Sequence, residues 1–218
     1  MSDAATRREA ILGDIATAVK LARRDPSEVA LIAVSKTRTA TEIEPFIAAG
    51  QRDFGESRVQ EAMVKWPALR ALTPGLTLHC IGRLQSNKAA EAVASFDVIH
   101  SLDRRSLLDA LARAAEQHER APSVYVQVNI GEEEQKGGCA IAEVGDLVAA
   151  VRASPLPLAG LMAIPPLGLE PSPFFALLAK LARDHDVTGL SMGMSADFKS
   201  AVMLGATVVR VGTALFED

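Results

Sequence analysis

The chain has 218 residues, of which 49% are hydrophobic, and a formal charge of −4. The length suits one domain with a real core over 1–218; no apolar run reaches the roughly 18 residues of a membrane span, and the charged, alanine-rich start lacks a signal peptide's apolar stretch. Net acidity with one Trp and one Tyr argues against a nucleic-acid surface, so a cytoplasmic protein with neither nucleic acid nor membrane as a partner is expected.

An opening helix is expected over 5–24. The apolar run Val29-Ala30-Leu31-Ile32-Ala33-Val34-Ser35-Lys36 then predicts a buried strand over 29–35 that ends on a primary amine. Downstream, strands over 52–55, 77–82, 97–101, 123–129, 158–164, 189–194 and 207–212 alternate with helical stretches over 40–49, 58–72, 87–95, 104–119, 141–153, 173–186 and 197–204. This is the pattern of βα units around a parallel sheet. Eight strands in regular alternation, with no GxGxxG after the first, favour a closed (β/α)₈ TIM barrel over an open doubly wound sheet. No helix-length segment follows the eighth strand, so the opening helix is expected to cover the surface an eighth helix would occupy.

Barrel active sites are built at the C-terminal ends of the strands, and polar residues and glycines collect there. Strand one ends in Lys36, strand two runs into Ser57-Arg58, strand three carries His79, strand five ends in Asn129, strand seven reaches Ser195 and strand eight carries Arg210-Val211-Gly212-Thr213. A lysine at a strand mouth either reaches solvent on its stem or attacks a carbonyl to form a Schiff base. Ser195 is either a helix cap or, with Gly212 and Thr213, part of a phosphate cradle after strands seven and eight. Arg210, set among Val and Gly, needs an acceptor, and an ion pair is the simple reading. His79 suits a core hydrogen bond or a ligand ring. Cys80 and Cys139 lack metal or disulfide spacing and read as ordinary thiols.

Six segments in this order resemble the pyridoxal phosphate homeostasis protein family over nearly the whole chain. They are Ala33-Val34-Ser35-Lys36-Thr37, Phe54-Gly55-Glu56-Ser57-Arg58-Val59-Gln60-Glu61, the run from His79-Cys80-Ile81-Gly82 to Asn87-Lys88, Gly160-Leu161-Met162-Ala163-Ile164-Pro165, Ser191-Met192-Gly193-Met194-Ser195-Ala196-Asp197 and Val209-Arg210-Val211-Gly212-Thr213. The resemblance implies a barrel of the alanine racemase N-terminal type that holds the vitamin B6 cofactor pyridoxal 5′-phosphate as a Schiff base on Lys36. It also implies that Ser195, Gly212 and Thr213 bind the phosphate, that Arg210 faces the pyridine nitrogen, and that Ser57 and His79 lie near the cofactor. The chain departs from the family pattern at Ser57, where Asn is usual, at Leu78 and Cys80, where aromatic residues are usual, and in ending soon after Phe216.

The same resemblance implies a carrier that buffers and supplies pyridoxal phosphate, with the cofactor and apo forms of pyridoxal-phosphate enzymes as partners, a monomeric state, and little or no catalysis of its own. A racemase needs a proton donor and acceptor on opposite faces of the substrate carbon; Tyr125 lies early in strand five, away from the mouth. A weak racemase-type enzyme and a Schiff-base aldolase acting on a sugar phosphate are the alternatives.

Overall fold

The computed structural model describes residues 3–217. Eight parallel strands close into a barrel in chain order: β1 (Ala30–Val34), β2 (Asp53–Glu56), β3 (Thr77–Cys80), β4 (Val98–Leu102), β5 (Ser123–Gln127), β6 (Leu158–Met162), β7 (Leu190–Met194) and β8 (Val208–Val211). β8 pairs back onto β1, with Ile32 opposite Arg210. Every predicted strand is present. Most are shorter than predicted at their C-terminal ends, so that Lys36, Gly82 and Asn129 fall in loops beyond their strands.

Strand periodicity explains the layering, since successive side chains point to opposite faces. Leu31 and Ala33 of β1, with Phe54, Leu78, Val124, Val126, Val209 and Val211 of other strands, join the buried layer beneath the helices. Ile32, Tyr125, Met162 and Val208 instead form a small apolar cluster in the barrel interior. The outer ring consists of α1 (Ala4–Leu21), α2 (Ala40–Ala48), α3 (Val59–Leu72), α4 (Ala89–Ser95), α5 (Arg105–His118), α6 (Val144–Arg152), α7 (Ser172–Asp184), α8 (Phe198–Met203) and the four-residue α9 (Thr213–Phe216). In α5 the buried residues Leu107, Leu108, Leu111, Ala114 and Ala115 recur at helical spacing and make the stripe that faces the sheet.

The expectation for the opening helix holds. α1 packs against α2, α8 and α9, and Arg24 just beyond it donates to the carbonyls of Val202 and Ala206, each at 2.9 Å. Lys199 and Asp14 pair across the α1–α8 face at 2.8 Å. Among the described residues, α9 and a 3₁₀ turn at Pro26–Glu28 are absent from the sequence-based expectation. α9 is a single turn, too short to show helical periodicity, and Phe216 at its end packs on Phe46 of α2 with ring centroids 4.5 Å apart.

Candidate functional site

The lysine singled out by the sequence lies two residues past β1, in a turn, with its side chain exposed. This corrects the expectation of an amine at the end of a buried strand: Val34 ends the strand and Thr37 takes a left-handed conformation, φ +64°. The turn is fixed from below. Ser35 donates its N–H to the carbonyl of Gly55 at 2.9 Å. Lys65 of α3 donates to the carbonyls of Ser35 and Arg38, both at 2.9 Å, and pairs with the fully buried Glu56 at 2.7 Å. Glu56 also accepts from the Ser35 hydroxyl at 2.7 Å and from the Trp66 indole at 3.1 Å.

Beside this turn, the ends of β7 and β8 meet. Gly193 has φ +92°, a conformation that costs glycine little, and the β7–β8 register shifts between Ser191 and Met194. Ser195 follows directly after β7, where its hydroxyl accepts the N–H of Gly212 at 3.3 Å. It is not a helix cap: α8 starts at Phe198, and the Asp197 carboxylate before it accepts the Met194 N–H at 2.6 Å. A Cβ on Gly212 would sit 3.3 Å from the Cβ of Val34, so the end of β8 lies tight against β1. Thr213 is exposed and opens α9, whose first N–H groups have no partner within the helix. Lys36, Ser195, Gly212 and Thr213 therefore come together at one end of three neighbouring strands.

Ser57 is half-buried just after β2, on the rim of a cavity of about 630 Å³ that also takes in Arg58, Arg83, Lys88 and Arg104. Arg58, Lys88 and Arg104 already have carboxylate partners, Glu61, Glu91 and Asp103 respectively, which leaves Arg83 without one among the described residues.

Arg210 and His79 belong to the interior. Arg210 is 4% exposed. Its acceptors are neutral, the Ser191 hydroxyl at 2.5 Å and the Ala163 carbonyl at 3.1 Å, so the ion pair read from the sequence is replaced by two uncharged contacts. Burial pushes the guanidinium down to about 10, with Asp197 and Tyr125 opposing; it stays protonated at neutral pH. His79 takes the core role. Its Nε2 lies 3.2 Å from Asp53 Oδ1 and its Nδ1 lies 3.0 Å from His100 Nε2. His100 is fully buried, 2.9 Å from Ser191 Oγ through Nδ1 and stacked on Tyr125 at 4.4 Å. Burial, then the electrostatic influence of the neighbouring His79 and Arg210, holds His100 well below the usual histidine range.

His100, Ser191, Glu56 and Lys65 were not singled out in the sequence. Alternation places His100 and Ser191 on the inward face with His79 and Arg210, but nothing in the sequence pairs them across the barrel, whereas Glu56 turns outward to Lys65 of α3.

Residues 9–218 match the family model for the alanine racemase N-terminal domain. The pyridoxal phosphate homeostasis protein of Synechocystis is 41% identical over 203 residues, spanning 88% of this chain and 93% of that protein. The Escherichia coli K12 protein of the same name is 38% identical over 226 residues, spanning 99% and 97%. The structure of PipY from Synechococcus elongatus PCC7942 with PLP bound superposes with a TM-score of 0.79 at 42% identity, over 93% of this chain and 99% of that one. With its closed parallel barrel of eight strands, this chain belongs to the alanine racemase N-terminal domain family and, within it, to the pyridoxal phosphate homeostasis proteins.

Proposed function

We propose that this chain binds pyridoxal 5′-phosphate at the β7–β8–β1 end of the barrel and acts as a cytoplasmic carrier that buffers and supplies the cofactor. The observation that carries the reading is the Gly212–Ser195 hydrogen bond beside the Lys36 turn. It sets a hydroxyl, a glycine backbone and the start of α9 next to a primary amine.

The residues present fit the group. Gly212 leaves open a space that a Cβ would close against Val34. The Ser195 and Thr213 hydroxyls and the N–H groups opening α9 suit a phosphate dianion. The bound cofactor supplies an aldehyde that condenses reversibly with an amine, and Lys36, exposed and with no ion-pair partner among the described residues, is free to receive it. The pinned turn holds Lys36 at the mouth. Arg210, buried and cationic, disfavours a second positive charge on a ring nitrogen placed against it, which weakens the ring as an electron sink. Ser57 contacts the cofactor directly or through water, and His79 acts on it from below through its hydrogen-bond partners.

Little catalysis of its own is part of this reading. Tyr125, the one tyrosine, is buried against His100 in the barrel interior and is not a base for a substrate at the mouth. The names of the curated relatives point the same way.

The test is the visible spectrum of the purified protein with pyridoxal phosphate, before and after borohydride, followed by mass mapping. A yellow band that disappears on reduction and leaves a phosphopyridoxyl mass on Lys36 is expected, with none on Lys36→Ala. An adduct retained in Lys36→Ala, or a protein that stays colourless with added cofactor, overturns the assignment.

A further inference from the structure

Five side chains form one continuous hydrogen-bonded line through the barrel interior: Asp53, His79, His100, Ser191 and Arg210. They come from β2, β3, β4, β7 and β8, so the line crosses the barrel instead of following one strand. The two ends differ. Asp53 opens β2 at the end of the barrel opposite the Lys36 turn, with 35% of its side chain exposed, whereas Arg210 is buried.

Donor counting gives the line a direction. Arg210 can only donate, so Ser191 Oγ accepts from it, and the single serine proton is available to His100 Nδ1. Since burial keeps His100 neutral, an accepting Nδ1 leaves its proton on Nε2, pointed at His79 Nδ1. His79 then carries its proton on Nε2, which donates to the Asp53 carboxylate. In this arrangement each donor along the line has one acceptor. Reversing any link would set His79 Nε2 against Asp53 Oδ1, lone pair to lone pair, unless His79 took up a further proton.

We propose that Asp53 is a positioning residue for the cofactor ring, acting through His79, His100 and Ser191 to fix the orientation of the Arg210 guanidinium. This rests on the reading that Arg210 faces the ring of bound pyridoxal phosphate. Anchored by the carboxylate, His100 draws the Ser191 proton away from Arg210 and leaves the serine oxygen to accept. Without the anchor both histidines sample the other tautomer. His100 then donates to Ser191, whose oxygen accepts from both His100 and Arg210 and must turn its own proton to another acceptor, so the lone pair that orients the arginine fork moves.

The experiment has two readouts on the full chain. In cofactor-free protein, 15N resonances of the imidazoles are expected to place the proton on Nε2 of both His79 and His100. Asp53→Ala is expected to move the His100 resonances, although Asp53 does not touch that ring. Asp53→Asn, whose amide oxygen still accepts, is expected to stay nearer to wild type. With pyridoxal phosphate added, Asp53→Ala is expected to shift the visible band and lower affinity about threefold to tenfold, the scale of one hydrogen bond, while the borohydride adduct on Lys36 persists. Unchanged His100 resonances in Asp53→Ala, or an unchanged spectrum and affinity, overturn the proposal. Failure of wild-type protein to take up cofactor overturns the function reading itself, and it is seen before any variant is made.

Discussion

The Lys65 ammonium, 2.7 Å from the buried Glu56 carboxylate, is also the donor to the carbonyls of Ser35 and Arg38, on either side of Lys36-Thr37. One buried ion pair thus carries the turn on which the candidate nucleophile sits. Lys65→Met should destabilise the protein by about 3–5 kcal/mol, because it leaves Glu56 buried and unpaired. Glu56→Gln with Lys65→Met should recover most of that loss, as urea denaturation would show. Equal instability of the single and double variants would mean that packing alone sets the cost.

Ser195→Ala should weaken pyridoxal phosphate binding about tenfold to a hundredfold, the scale of a hydrogen bond to a charged group. Binding of pyridoxal without its phosphate should change little. Titration of both ligands measures the contrast, and equal losses would place Ser195 away from the phosphate.

Acid should destabilise the protein through His100. Its native pKa lies well below the ordinary 6.5, so below about pH 6.5 the unfolded chain binds a proton that the native state refuses. Stability is then lost as pH falls, at up to about 1.4 kcal/mol per unit. The stability of His100→Gln should fall less steeply between pH 6.5 and 5. Parallel pH profiles for the two proteins would refute the assignment.

Burial pushes the Cys80 and Cys139 thiols up to about 12. Thiolate at pH 8 is then about one part in ten thousand, and thiolate is the reactive form. A thiol reagent should label neither residue in native protein and both in urea. Fast native labelling would mean that a thiol is reachable.

The barrel was readable because each strand is an apolar run bounded by helix-period segments, and both periods survive in a single sequence. Lys36, Ser195 and Gly212 could be grouped from the sequence because strand ends concentrate chemistry in this architecture. The sequence left Ser195 between a helix cap, which serine's strong local preference favours, and the phosphate cradle, while the Gly212 N–H that claims its hydroxyl lies 17 residues away. The interior line was hidden for the same reason on a larger scale: His100 and Ser191 are 91 residues apart, and nothing local at either position names the other. Glu56 stands just past the strand expected over 52–55, yet alternation turns it from Gly55 and Ser57 toward α3, where Lys65 and Trp66 meet it.

Arg24 reaches carbonyls 178 and 182 residues further along the chain, which bears on the order of assembly. α1 is made before β1–β8, but most of the surface that receives it comes from α8 and α9, with a smaller share from α2, and is complete only once β8 has paired with β1. α1 is therefore made before the elements that complete its seat, and its full docking coincides with closure of the barrel. Contacts of such long separation slow folding, so the apolar face of α1, with Ile11, Ile15 and Val19, stays open to chaperones and to neighbouring chains for most of synthesis.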